Sequence, residues 1–187
     1  MTARAATPKI TPDDLLVMPD ADAYELIDGR LRKKDVSFES SNLAMRIGAI
    51  LDAFIEPQNL GSLGGPDSSY RCFPDDPDKV RRPDVAFVSR ARMPDDLYFA
   101  PGHTPVCPEL VVEVISPNDG ADDVDRKVQD WLEAGAVVVW TVHPAVRVLR
   151  SHQMGRPIQV FGVGDVVTVE EMLPGFQMSV ARIFRGR

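Results

Sequence analysis

The chain has 187 residues, 44% hydrophobic and 26% charged, and carries a net charge of −7. The length favours one domain over 1–187 with a real core, and the composition is that of an ordinary globular protein. No apolar run approaches the ~18 residues a bilayer span needs, and the negative balance disfavours non-specific nucleic-acid binding by the chain as a whole.

Residues 1–10 read as a flexible arm, without the apolar stretch of a signal peptide. Thr11-Pro12-Asp13-Asp14 is a helix start, with a cap, a proline at the first helical position and acids against the dipole. A short helix to about Val17 follows, then a hairpin of strands 23–27 and 30–36 around Asp28-Gly29. Leu43, Ile47, Ile50, Leu51 and Phe54 recur at helical spacing and predict a helix from Ser37 to Ile55, ended by Pro57. Gly61, Gly64 and Gly65 predict a loop, which is no P-loop because no Gly-Lys-Ser/Thr follows.

Strands are expected near 67–73, 82–89 and 109–115, then a helix from Asp122 to Ala134 and a strand at 136–142. Shorter strands are expected at 146–151, 157–162 and 166–169, and a last helix at 180–184. Strand, helix, strand from 109 to 142 is a βαβ-sized unit. The expected fold is α/β with a mixed sheet, the helix at 37–55 covering one face and the helix at 122–134 the other.

The most informative residue is Glu113, in the middle of Leu110-Val111-Val112-Glu113-Val114-Ile115. Ionised glutamate is seldom buried without a partner. Strand alternation puts it on a face with Val111 and Ile115. Asp84 is a second carboxylate in an apolar strand, Arg82-Pro83-Asp84-Val85-Ala86-Phe87-Val88. Two such acids close together do not both ionise cheaply without a cation, and a divalent metal serves both. Mg²⁺ takes one or two carboxylates and several waters. On the following helix Val124, Val128, Trp131 and Leu132 form the apolar stripe, with Lys127 at its edge. From there its ammonium can reach the strand ends and stabilise phosphate charge or hold an attacking water.

Pro83-Asp84 followed by Glu113-Val114-Ile115 resembles the signature of PD-(D/E)xK nucleases, the restriction-endonuclease-like superfamily. More narrowly, the chain resembles the Uma-type family of restriction endonucleases. The resemblance rests on Tyr24 to Gly29, Arg82 to Val88, Glu109 to Pro117, Asp125-Arg126-Lys127 through Ala134-Gly135, and Leu173-Pro174-Gly175, and it spans nearly the whole chain. It implies a restriction-endonuclease-like mixed central sheet flanked by helices and a metal-dependent phosphodiesterase site acting on nucleic acid, DNA in particular. Carried over, Asp84 and Glu113 would bind Mg²⁺ or Mn²⁺, Glu25 matches the family's early glutamate and would complete the acidic catalytic set, and Lys127 substitutes for the superfamily lysine. That lysine normally follows the glutamate by two positions, where this chain has Ile115. The family's histidine near the start of the long helix is also missing from Phe38-Glu39-Ser40-Ser41-Asn42. A catalytically inactive, homodimeric binding or regulatory module on the same fold is the rival reading.

Each residue also has a plainer reading. Glu113 could be a buried structural ion pair, Asp84 a strand-start acid, Lys127 a solvated helix lysine and Glu25 an edge-strand surface acid. Trp131, Trp140 and Phe87 read as core. Basic residues cluster at Arg30, Arg32, Lys33 and Lys34, at Lys79, Arg81 and Arg82, and at Arg182, Arg185 and Arg187. They would supply phosphate contacts if folding gathers them. Asp119, Asp122, Asp123 and Asp125 miss the glycine and terminal glutamate of a calcium loop. They read as helix N-terminal acids, with Ser116, Asn118 or Asp119 as cap. His103, His143 and His152 lack zinc spacing, and His103 with Cys107 is a weak thiol-nucleophile pattern. Cys72 and Cys107 suggest a reducing cytoplasm.

Overall fold

The computed structural model describes residues 9–185. The expected arm falls, through residue 8, outside the described residues. Ile10 is already tied down, its amide donating to the Gly29 carbonyl at 3.1 Å. Helix α1 (Pro12–Val17) opens with a capping box between Thr11 and Asp14. The hairpin β1 (Tyr24–Ile27) and β2 (Arg30–Lys33) turns at Asp28 and Gly29, both at positive φ. Helix α2 (Phe38–Ile55) starts from a capping box of Ser37 and Ser40.

Then come β3 (Gly61–Gly64), β4 (Val85–Ser89), a four-residue helix α3 (Asp95–Tyr98) and β5 (Leu110–Val114). They are followed by helix α4 (Ala121–Glu133), β6 (Val138–His143), β7 (Val148–His152) and β8 (Gln159–Phe161). The hairpin of β9 (Val166–Thr168) and β10 (Gln177–Ser179) and helix α5 (Val180–Ile183) complete the order.

Six strands form one sheet in the order β3-β4-β5-β6-β7-β8. Only β5 and β6 run parallel, joined by α4 as a βαβ unit, so the sheet is mixed. Alternation gives β5 two apolar faces. Leu110, Val112 and Val114 pack with Leu43, Ile47 and Leu51 of α2, while Val111 packs with Val128 and Trp131 of α4. The two helices therefore cover opposite faces, as the sequence implied.

Three expectations need correction. Gly61 to Gly64 is an edge strand, not a loop. A Cβ at Gly61 would collide with the Val88 carbonyl, so these glycines permit close strand approach. Residues 67–73 form no strand, and only Tyr70 makes isolated bridges, to Arg81 and Thr104. The N-cap of α4 is Gly120, with no side-chain cap; Asp119 accepts from the Ser116 amide at 2.7 Å instead.

Candidate active site

Asp84, Glu113 and Thr141 follow one another across the α4 face of the sheet. The antiparallel register Val85↔Val112 puts Asp84 opposite Glu113 one step further, and the parallel register pairs Glu113 with Thr141. Backbone bonds between Leu26 and Val80 join the N-terminal hairpin to the segment before β4. That junction brings Glu25 to the same place. Lys127 sits one turn before Trp131 on α4 and reaches down from above. All four expected site residues line one cleft of about 410 Å³, together with Lys34 and Ile115.

The contacts are specific. Lys127 Nζ lies 2.8 Å from Glu113 Oε2 and 3.2 Å from Glu25 Oε1. Glu113 Oε1 accepts the Trp131 indole N–H at 3.0 Å. Asp84 Oδ2 accepts the Val114 amide at 2.7 Å, and Asp84 Oδ1 faces the Lys34 ammonium at 3.3 Å. Glu25 accepts the Arg82 amide and an Arg81 guanidinium N–H, both at 2.9 Å. Arg81 also pairs with Asp130, which takes Lys79 at 2.7 Å as well.

The carboxylates differ in their electrostatics. Burial alone would raise the Glu25 pKa, but Lys127, Arg81 and the Arg82 amide outweigh it and hold it at about 2. Glu113 is equally buried. Burial pushes its pKa up, Lys127 opposes, and the Asp84 and Glu25 charges push it further, to about 7. Burial would lower the Lys127 pKa, yet Glu113, Glu25 and Asp84 together raise it, so the ammonium is a permanent cation. The cations around Glu25 thus outweigh its burial, whereas for Glu113 burial and the neighbouring acids outweigh the one ammonium it shares with Glu25.

A buried and a part-buried carboxylate, opposite each other on neighbouring strands and on a common cleft, are the observation that fits a divalent ion. Asp84 Oδ1 and Glu113 Oε2 are the oxygens not held by a backbone or indole donor. Among the described residues no group of three or more His, Cys, Asp or Glu is arranged to hold a metal. Two carboxylates on an open cleft suit Mg²⁺, which keeps several waters. Both Glu25 oxygens are committed to Arg81, Arg82 and Lys127, which leaves this residue to hold the lysine.

The basic clusters do not gather on one side. Arg32, Lys33 and Lys34 line the cleft. Arg81 and Arg82 are buried, and Lys79 is spent on Asp130, so this second cluster is internal wiring and not a phosphate surface. Arg185 lies at a separate pocket with Arg46 and Arg147, and Arg187 falls outside the described residues. His103 bonds Ser69 and the Pro12 carbonyl, while the Cys107 thiol faces the Pro108 and Trp131 carbonyls. Sequence reasoning placed Lys34 only among bases that would contact phosphate, not beside Asp84, and gave no site role to the Trp131 indole, which lay inside an apolar stripe. The one available signal for Trp131 was its spacing four residues after Lys127.

The sequence pattern of a family described as "Uma2: Putative restriction endonuclease" matches residues 12–181. Among solved structures, the fold resembles the crystal structure of a putative nuclease belonging to DUF820 from Anabaena variabilis. The TM-score is 0.75 at 18% sequence identity, covering 94% of this chain and 97% of that one. No match was found among curated proteins. Among the described residues no helix is long and apolar enough to cross a membrane.

Proposed function

The chain belongs to the Uma2 family of putative restriction endonucleases, and from that membership we propose that it is a divalent-metal-dependent nuclease that hydrolyses phosphodiester bonds in DNA. The observation that carries this reading is the convergence of Asp84, Glu113 and the Lys127 ammonium on one cleft, with Glu113 sharing its one ammonium with Glu25.

Asp84 through Oδ1 and Glu113 through Oε2 would hold Mg²⁺ or Mn²⁺. When bound, such an ion lowers the pKa of water and neutralises phosphate charge. The chain's own groups supply the rest. Lys127, fixed by two glutamates, presents an ammonium that stabilises negative charge building on the phosphate. The Trp131 indole and the Val114 amide hold the two carboxylates in place and leave Glu113 Oε2 and Asp84 Oδ1 to the metal. Arg32, Lys33 and Arg126 at the cleft supply contacts to flanking phosphates.

The test is incubation of purified protein with plasmid DNA and Mg²⁺ or Mn²⁺. Nicking or linearisation that disappears in Asp84→Asn and Glu113→Gln is expected. Intact plasmid at every metal and salt condition would refute the reading. A second reading, an inactive dimeric binding or regulatory module, draws on the acids that share the cleft, Asp28, Asp35, Asp119 and Asp123, whose charge repels DNA. It predicts no cleavage with metal binding retained.

A further inference from the structure

Lys34 touches Asp84 directly, a contact that the proposed nuclease reading does not use. It follows β2, and its own amide donates to the Ala23 carbonyl at 2.9 Å, so the backbone is fixed by the hairpin. Its side chain is only 11% exposed. The ammonium donates to the Arg82 carbonyl at 2.8 Å and stands 3.3 Å from Asp84 Oδ1. Asp84 Oδ2 is already taken by the Val114 amide. The Asp84 oxygen left without a backbone donor is therefore the oxygen that Lys34 covers.

Resting on the reading of Asp84 and Glu113 as metal ligands, we infer that Lys34 is a built-in competitor for the divalent cation and sets the affinity of the site. A fixed positive charge a few ångströms from a dication repels it, and burial weakens the screening. Lys127 acts differently. It has Glu25 to retain it when Glu113 turns to a metal, whereas Lys34 has one carboxylate and a carbonyl. Metal entry must therefore share or displace the Lys34 contact. In the metal-free protein the same contact gives Asp84 a counter-charge and spares the site a second under-compensated acid beside Glu113.

The experiment titrates the full chain with MnCl₂ alone by calorimetry, in wild type, Lys34→Met, Lys34→Gln and Lys34→Arg. Asp84→Asn locates the site, and thermal melts without metal run alongside. Lys34→Met and Lys34→Gln are expected to bind Mn²⁺ about tenfold more tightly than wild type and to melt earlier without metal. Lys34→Arg, which keeps the charge, should stay near wild type. Metal binding in Lys34→Met but not in wild type would support the inference in its strongest form. Wild-type binding that Lys34→Met and Lys34→Gln leave unchanged or weaken would overturn this inference while leaving the metal-site reading intact. Absence of Mn²⁺ binding in wild type and all variants would overturn both. Lys34→Gln keeps a donor for the Arg82 carbonyl, so a folding defect in Lys34→Met does not remove the test.

Discussion

The Lys127 ammonium joins a glutamate of the central strand to a glutamate of the N-terminal hairpin, 2.8 Å from Glu113 Oε2 and 3.2 Å from Glu25 Oε1. Neither acid is more than 5% exposed. One helix-borne cation thus stabilises two buried charges and ties three parts of the fold together. Removing one partner of a buried pair costs about 3–5 kcal/mol, because the charges left behind have no water to turn to. Lys127→Met keeps the apolar stem and should lose stability on that scale by urea denaturation. On plasmid DNA its cleavage rate should fall by ~10²-fold or more, the typical loss when a donor to developing charge is removed. Wild-type cleavage by a folded Lys127→Met protein would remove the lysine from the mechanism.

Glu25 and the other two acids should separate by metal binding. Both Glu25 oxygens are occupied by Arg81, the Arg82 amide and Lys127. Glu25→Gln is therefore expected to destabilise the fold by a few kcal/mol, as loss of a buried ion-pair partner does. It should still bind Mn²⁺ in calorimetry. Asp84→Asn and Glu113→Gln should lose that heat. Equal loss in all three variants would make Glu25 a ligand instead of the holder of Lys127.

The two glutamates predict opposite pH limbs for the metal-free protein. Glu25 has a folded pKa of about 2 against the usual 4.5, so the stability it contributes is present above pH 4.5 and is lost as pH falls towards 2. Glu113 has a folded pKa of about 7, so the folded state holds a proton that the unfolded chain gives up between pH 4.5 and 7. Its contribution therefore falls as pH rises across that window and levels off above it. At ~1.4 kcal/mol per tenfold change in proton affinity, each limb amounts to a few kcal/mol. Thermal melts from pH 5 to 8 should show the decline in wild type, a flatter profile in Glu113→Gln, and a flatter profile again with saturating Mn²⁺, which takes the place of the proton. A wild-type decline that Glu113→Gln leaves unchanged would assign it to another group.

The acids on the sheet were legible because a charge inside an apolar strand is conspicuous in any window. Lys127 was legible from the same stripe that places Trp131. The rest depended on contacts that no local window contains. Arg81 reads as one of three clustered bases, yet it is buried against Glu25, 56 residues away. Lys34 meets Asp84 across 50 residues in the same manner. Gly61 to Gly64 reads as punctuation because glycine is common in loops, whereas here the missing Cβ lets the backbone approach Val88. Residues 67–73 have strand-like composition around Tyr70, but their partners are single bridges on two sides and no ladder forms.

Ile115 offers a direct test of whether the lysine of this site is defined by its place in space. It stands where the superfamily lysine would stand, and it lines the same cleft as Lys127. Ile115→Lys alone adds a third ammonium beside Lys34 and Lys127, with no additional carboxylate to receive it. It should weaken Mn²⁺ binding by like-charge repulsion and should not raise cleavage. In the double variant Ile115→Lys/Lys127→Ile, the charge count returns to that of wild type. The new ammonium extends from the strand end two residues past Glu113, while an isoleucine at 127 extends the apolar stripe of Val124 and Val128. Cleavage should then recover to within about tenfold of wild type, a penalty of ~1.4 kcal/mol for imperfect placement. Stability should recover less, because Glu25 loses the cation that α4 supplies and keeps Arg81 and the Arg82 amide as its direct partners. Recovery of cleavage without full recovery of stability separates the two tasks of Lys127, charge for the phosphate and counter-charge for Glu25. A double variant as inactive as Lys127→Met, though folded, would mean that the chemistry requires the helix-borne position itself.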